Sequence, residues 1–159
     1  MSRITYRHAT DDDATVLTET LGEQWGGTPV VVGRGIVYNL TEWPSLIAEQ
    51  DAKIVGVLTY ELTDEEMYVI SIHAVTQHQG IGSGLMDAAI AVAAGRRRIW
   101  LTTTNDNLDA IRFYQRRGFH FIEVRPDAVT RARALKPTIP LIGSYGIELR
   151  DELDLERPL

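Results

Sequence analysis

Runs of β-branched and aromatic residues alternate along the chain with short polar or glycine-containing turns. Such runs are typical of strands, and they predict strands at residues 3–8, 46–50, 53–61, 67–74, 98–104, 119–124 and 145–150. The segment 26–39 mixes glycine, proline and valines, so we expect a loop with a short strand or helix there. The residues after 150 are polar and are expected to form a tail.

Helical spacing of apolar residues appears between these strands. Leu85, Ala88, Ala89 and Val92 share one helical face, which predicts a helix from a glycine-rich turn at 80–84 to about residue 94. Capping and stop signals predict further helices at residues 11–23, from Asp106 or Asn107 to Gly118, and at 127–135. The order of elements indicates an α+β (mixed α/β) fold with a mixed sheet and helices on both faces.

Composition narrows the class of protein. The 159 residues, 44% apolar and 24% charged, fit a single globular domain over residues 1–159. The absence of cysteine excludes disulfides and a cysteine nucleophile and is compatible with the cytoplasm. The net charge of -6 disfavours a nucleic-acid footprint, and no apolar run is long enough to span a membrane. We therefore expect a cytoplasmic protein that binds neither nucleic acid nor membrane.

The glycine-rich turn is the most informative segment for chemistry. Gly80, Gly82 and Gly84 lie between a predicted strand and a predicted helix, where free backbone N–H groups and the helix dipole favour a diphosphate. A P-loop would need a lysine before the serine or threonine, and a dinucleotide fingerprint would need glycine at Leu85. A turn that binds no ligand remains the structural alternative.

Two motifs give this turn a family resemblance. Gln77-x-x-Gly80-x-Gly82 resembles the Q/R-x-x-G-x-G/A signature of the GNAT acetyltransferases. The segment from Asn107 to Phe119 looks like the N-x-x-A-x-x-F/L-Y-x-x-x-G-F element of the same family. The resemblance implies a GNAT fold, whose central, mostly antiparallel sheet is splayed between two middle strands. It also implies an acetyl-CoA-dependent N-acetyltransferase, and the C-terminal stretch resembles an uncharacterised bacterial subgroup.

The resemblance implies where acetyl-CoA, the co-substrate, would bind. The end of the strand before the turn would supply a backbone oxyanion donor at Ser71, Ile72 or His73, and the turn would hold the diphosphate. The cofactor-binding residues implied in this way are Ile72, His73, Ala74, Val75, Gln77, Gln79, Gly80, Ile81, Gly82, Ser83, Gly84, Asn107 and Tyr114. No metal is expected to take part.

Catalytic roles follow from the same resemblance. Tyr114 is the candidate general acid for the leaving thiolate, although a buried tyrosine at this position also suits a core. Glu66 and His73 are the candidate bases, with Glu61 or a water chain as alternatives. His73 has an ordinary pKa suited to a base, but a single strand histidine is often structural, and Glu66 is equally compatible with a solvated turn charge.

The acceptor is expected to be a primary amine of a small molecule or peptide. The segments 22–40 and 125–145 should shape its pocket, the first through Trp25 and Tyr38 together with the neighbouring Trp43. Whether the basic helix at 127–135 contacts the substrate is left open. Core packing of the aromatic residues and solvation of the basic ones are the alternatives. A non-catalytic acyl-CoA-binding module is the alternative function, and a homodimer is possible.

Overall fold

The computed structural model describes residues 2–76 and 79–159. Within these residues there are nine strands: β1 (Thr5–His8), β2 (Val30–Gly33), β3 (Ile36–Asn39), β4 (Ser45–Gln50), β5 (Lys53–Leu62), β6 (Glu66–Ala74), β7 (Arg98–Thr104), β8 (His120–Arg125) and β9 (Glu152–Pro158). The α-helices are α1 (Ala14–Gln24), α2 (Ile81–Val92), α3 (Leu108–Arg116) and α4 (Ala128–Ala132). Short 3-10 turns lie at Asp11–Asp13, Leu40–Glu42 and Ser144–Gly146.

Seven strands form one sheet in the order β1-β4-β5-β6-β7-β9-β8, and β2 and β3 form a separate hairpin. The β6–β7 pairing is parallel, and the other pairings between described strands are antiparallel. The predicted mixed, mostly antiparallel sheet is therefore confirmed. The hairpin accounts for the glycine- and valine-containing segment, where a loop with a short strand or helix was expected.

The two middle strands separate along their length, as the resemblance implied. β6 and β7 pair only from Glu66 opposite Arg98 to Val69 opposite Leu101. A β-bulge begins at the next residue, since Thr59 pairs with Ser71 and Tyr60 with Val69, which leaves Ile70 as an extra residue in β6. A bulge bends its strand and increases the local twist, so it turns β6 away from β7 at this point.

Helices cover both faces of the sheet, which confirms the predicted layers. Leu85, Met86 and Ala89 of α2 are fully buried in the main core on one face. Leu17 and Leu21 of α1 pack against the opposite face in a second cluster. No helix of the described residues is long and apolar enough to cross a bilayer.

The predicted last strand at 145–150, followed by a polar tail, is wrong. The last strand is β9, which lies between β7 and β8 in the sheet. Its alternating acids point to one face, where Glu152 and Asp154 are 3% and 2% exposed and pair with Arg125 at 3.1 and 2.6 Å. Charge alone suggested a solvated tail, because the arginine that neutralises these carboxylates comes from another strand.

Candidate active site

The separation of β6 and β7 opens a cavity of about 190 Å³ in the middle of the sheet. Ser71 and Ile72 line it from β6, and Thr103 lines it from β7. Tyr114 reaches it from α3, and the β2–β3 hairpin closes it on another side. Strand backbone, hydroxyl groups and a phenol therefore meet in one space.

Ser71 carries a polar group without a partner in this cavity wall. The residue is 6% exposed, and its Oγ makes no hydrogen bond to any described residue. Thr59 lies directly opposite on β5 and is also buried, but its hydroxyl is 2.9 Å from that of Ser45. A buried hydroxyl without a partner is costly, so Ser71 is the member of this pair that suits a ligand.

Tyr114 is buried where α3 meets the cavity. It is 6% exposed, and its ring packs at 5.5 and 5.6 Å from those of Phe113 and Phe119. Burial raises the pKa of its phenol well above the ordinary value, with a smaller contribution from Tyr68. No described residue forms a hydrogen bond with its hydroxyl. The structure thus combines both sequence interpretations, because the ring belongs to the core while the residue lines the cavity.

The glycine turn lies at the N-terminus of α2. Gly80 adopts a left-handed φ of 74°, and the Gly84 N–H bonds to its carbonyl at 3.0 Å. The N–H groups of Ile81, Gly82 and Ser83 belong to the first turn and have no intrahelical acceptor. Gln79 is exposed beside this turn, whereas Gln77 and His78 lie outside the described residues.

Gly84 has a different reason for being glycine. A side chain there would overlap the ring of Tyr6, which covers the helix at this point. A Cβ atom at Gly82 would only reach ordinary van der Waals distance from the ring of Phe113 in α3. The turn therefore needs one glycine for backbone conformation and another for packing, while Gly82 keeps the helix start open.

A basic cavity of about 510 Å³ adjoins the start of α2 and was missed from the sequence. Ser83 lines it together with Arg112 and Arg116 of α3 and with Arg117, which directly follows that helix. Arg112 and Arg116 are exposed and one helical turn apart, a spacing from which the cluster could have been found. The arginines at 96–98 lie beyond the C-terminal end of α2, and the length of that helix, about 18 Å, separates them from the glycine turn. They are therefore too far from the turn to belong to this basic cavity.

Asn107 precedes α3 and also lines the cavity between β6 and β7. It occupies the N-cap position, but its side chain makes no capping hydrogen bond. Its Nδ2 instead donates to Thr103 Oγ1 at 3.3 Å. Asn107 lines both the small cavity and a larger neighbouring one.

The two candidate bases occupy different places on β6. Glu66 is at the paired end, where its carboxylate accepts from Arg98 at 2.8 Å and Arg97 at 3.4 Å. Burial acts to raise the pKa of Glu66, but the hydrogen bond and charge of Arg98 outweigh it and lower the pKa. Glu61, the further alternative, lines a cavity at the same end with Glu66. The structure does not bring either of them to the 190 Å³ cavity.

His73 lies in the separated part of β6, two residues after Ser71 and on the same face. It is half-buried, and burial lowers the pKa of its imidazole below the ordinary value. The strand end around it stays tied to β5, since Ala74 pairs with Gly56 and the Val75 N–H donates to Val55. His73 is close to the cavity in sequence, but it is not among the residues that line it.

The predicted acceptor segments surround the larger cavity, which has a volume of about 870 Å³. Trp25 lines it, whereas Tyr38 is buried and stacks on Tyr68 with ring centroids 5.9 Å apart. Arg133 and Lys136 are not simply solvated, because both donate to backbone carbonyls of neighbouring segments. The aromatic segment thus supplies both cavity wall and core.

Comparison with known proteins agrees with this geometry. The acetyltransferase (GNAT) family model matches residues 17–119. The uncharacterized protein YdhI of Bacillus subtilis is 37% identical over 141 residues, which cover 87% of this chain and 88% of YdhI. A GNAT family acetyltransferase from Elizabethkingia anophelis with acetyl-CoA bound has a TM-score of 0.70 at 21% identity, covering 98% of both chains. A Bacillus subtilis acetyltransferase in complex with CoA has a TM-score of 0.67 at 20% identity, covering 100% of this chain and 99% of the other.

Proposed function

Since this chain belongs to the GNAT acetyltransferase family and is thus an acyltransferase, we propose that it transfers the acetyl group of acetyl-CoA to a primary amine. One observation carries the proposal. β6 and β7 separate after Val69 and Leu101, and the gap holds a cavity lined by Ser71 and Tyr114. The co-substrate also accords with the two structural neighbours, which hold acetyl-CoA and CoA.

The described residues fit a CoA molecule at both ends of this gap. The free amides of Ile81, Gly82 and Ser83 suit the diphosphate, because first-turn N–H groups and the helix dipole favour anions. Arg112 and Arg116 are placed to meet a further phosphate beside Ser83. The pantetheine arm would follow the unpaired edges of β6 and β7, where strand amides lack a neighbour.

Acetyl-CoA would supply a thioester whose carbon is attacked directly by the amine nitrogen. The C–N bond forms as the C–S bond breaks, so the chain must stabilise an oxyanion, remove an amine proton and assist a thiolate. We assign the oxyanion to the backbone N–H groups at the bulge and to the Ser71 hydroxyl, with which no residue in 2–76 or 79–159 forms a hydrogen bond. Preorganised donors in a buried cavity interact more strongly with charge than the same groups do in water.

Tyr114 is the proposed acid. Its raised pKa makes the phenol a weaker acid but keeps it protonated, so its first contribution is a hydrogen bond donated to the departing sulfur. A thiolate released into the same buried cavity is also desolvated, which makes it a stronger base and favours proton transfer. The tyrosine then regains its proton from solvent.

His73 is the proposed base and acts through water. Its lowered pKa keeps the imidazole neutral near pH 7, and its place beyond Ser71 allows a water to connect it to the amine. Glu66 is less suitable, because Arg98 holds its pKa low and places its carboxylate at the paired end of β6.

A homodimer is also proposed, through the edge of the sheet. β8 is an edge strand and exposes Phe121, Ile122 and Val124. Unpaired strand edges with apolar side chains readily pair with another chain. Light scattering of the purified protein tests this, and a monomer at all concentrations would contradict it.

Thermal unfolding with acetyl-CoA, CoA, ATP and NAD tests the co-substrate. At about 100 times Kd, specific binding adds about 2.7 kcal/mol, which corresponds to a Tm increase of about 5–10 °C for a domain of this size. We expect that increase with acetyl-CoA and CoA and much less with ATP or NAD. Thiol release with an amine panel then separates an enzyme from a module that only binds acyl-CoA.

A further inference from the structure

The 870 Å³ cavity lies between the end of α1, the β2–β3 hairpin and the C-terminal segment that contains α4. It adjoins the cavity between β6 and β7 directly. Six of the described lining residues are common to both cavities: Trp25, Val31, Val32, Thr104, Asn107 and Glu152. A molecule in the larger space therefore has access to the place where the thioester would lie.

The cationic group in this wall is already engaged. Lys136 Nζ donates to the carbonyl oxygens of Trp25 and Val30 at 2.8 and 2.6 Å. These bonds join the C-terminal segment to the hairpin, so Lys136 holds the two sides of the cavity together. It is not free to bind a carboxylate or phosphate on a ligand without breaking that connection.

The two carboxylates in the wall are engaged as well. Asp106 accepts from the Thr104 hydroxyl at 2.6 Å and from the Ser144 N–H at 2.9 Å. Glu152 pairs with Arg125 at 3.1 Å and is 3% exposed. Asp106 has no cationic partner among the described residues, but it is 6% exposed and each of its oxygens accepts one of these hydrogen bonds. A second ammonium group would therefore have to displace existing donors at either carboxylate.

Most of the remaining wall is apolar. Trp25 forms one side, and the other apolar lining residues are Val31, Val32, Val129, Ala132, Ile139, Pro140, Ile142 and Leu149. A surface of this kind gains free energy by covering hydrocarbon, at about 25 cal/mol per Å². It penalises an ammonium group that is buried without a counter-ion.

We propose that this cavity is the acceptor site and that it takes a primary monoamine with an apolar aliphatic or aromatic body, rather than a diamine or polyamine. This inference rests on the proposed acetyl transfer and adds its substrate class. The reacting amine is common to both classes of ligand, so selectivity comes from the other end of the molecule. There the wall offers mostly hydrocarbon, and both of its carboxylates already accept hydrogen bonds from the protein.

A matched pair of acceptors tests the inference. Hexylamine and 1,5-diaminopentane have the same number of heavy atoms and differ only in a terminal methyl or ammonium group. With acetyl-CoA held constant, CoA release should give a kcat/KM per amine that is about tenfold or more higher for hexylamine, the range expected for one group in an apolar pocket. An equal or higher value for 1,5-diaminopentane would overturn the acceptor class.

Two neighbouring substitutions sharpen the test. Ile142 lines the cavity, whereas Leu141 does not, and both side chains are exposed enough to accept a charge without loss of folding. Ile142→Asp should raise the relative kcat/KM for 1,5-diaminopentane about tenfold, because it adds the missing counter-ion. Leu141→Asp should leave the ratio unchanged, and an equal effect of both variants would contradict the placement of the acceptor.

Binding of acetyl-CoA distinguishes failure of the acceptor class from failure of the proposed acetyl transfer. If acetyl-CoA raises Tm but neither amine releases CoA, the acceptor class is overturned and the coenzyme assignment stands. If acetyl-CoA does not raise Tm, the proposed function fails and the acceptor class fails with it. Preference for hexylamine, lost only in Ile142→Asp, supports both.

Discussion

The two ends of the β6–β7 pair differ in almost every physical respect. At the paired end, the strands are hydrogen-bonded and Arg98 lies between Glu66 and Glu156, at 2.8 and 3.2 Å from their carboxylates. Its guanidinium also lies 4.6 Å from the ring of Trp100. At the separated end, the strands diverge after a bulge, and the buried Ser71 hydroxyl has no hydrogen-bond partner among the described residues.

The difference shows how one strand pair serves two purposes. Paired charges and stacked rings stabilise the first end, and that stability allows the second end to keep unsatisfied groups in a cavity. Sites of this kind commonly cost stability in return for preorganisation. Changes at the separated end should therefore alter rate, and changes at the paired end should alter stability.

The largest effect is expected for Tyr114→Phe. A general acid contributes about 10²–10⁴ to rate, so kcat should fall by about that factor while the Kd for CoA and Tm stay nearly constant. Tyr60→Phe is the matched control, because Tyr60 is equally buried in the main core but does not line the cavity. An unchanged kcat in Tyr114→Phe would remove the acid role.

Ser71→Ala should have the next largest effect. Loss of a hydrogen bond to a charged group costs about 1.5–3 kcal/mol, so kcat should fall about 10–100-fold with little change in KM. Tm should stay constant or rise, because the change removes an unsatisfied hydroxyl. Ser45→Ala is the control: it leaves Thr59 without its partner, so unfolding free energy should fall by about 1–3 kcal/mol at unchanged kcat. If Ser71→Ala loses stability and keeps its kcat, Ser71 has a structural role and does not stabilise the oxyanion.

The smallest effect on rate is expected for substitution of the proposed base, His73. Because burial lowers the pKa of His73, its neutral, active form should predominate down to a pH below the ordinary histidine value. The kcat/KM should therefore rise with pH through that lowered pKa and then level off. His73→Gln should abolish this step and reduce kcat/KM about tenfold at neutral pH, less than a directly contacting base contributes.

Glu66→Gln is the matched comparison for His73→Gln on the same strand. It should keep the pH profile and cost about 1 kcal/mol of unfolding free energy through the partly exposed pairs with Arg97 and Arg98. The pKa of Glu66 is lowered by folding, so this contribution is present at neutral pH and is lost as the pH falls through the lowered pKa. A pH profile that shifts in Glu66→Gln rather than in His73→Gln would move the base to the paired end.

Local patterns predicted the elements that carry their own signals. The helical spacing of Leu85 and Ala89 and the glycine before them located α2, whose start at Ile81 and left-handed Gly80 agree with the prediction. Gly118, expected to end α3, also has a positive φ of 87°. Such features depend on neighbours within a few residues, so the sequence is sufficient to find them.

Other features depend on partners that are distant in the chain. β9 was missed because Arg125, which neutralises Glu152 and Asp154, lies on another strand. The sequence alone determined the helices and most strands of the central sheet, the two motifs and the family resemblance. Only the tertiary structure decided that Thr59 has a hydrogen-bond partner while Ser71 has none within the described part of the chain. It also decided that Glu66 and His73 lie in different environments. Those outcomes are set by which groups meet across the sheet, and residue order does not specify such contacts directly.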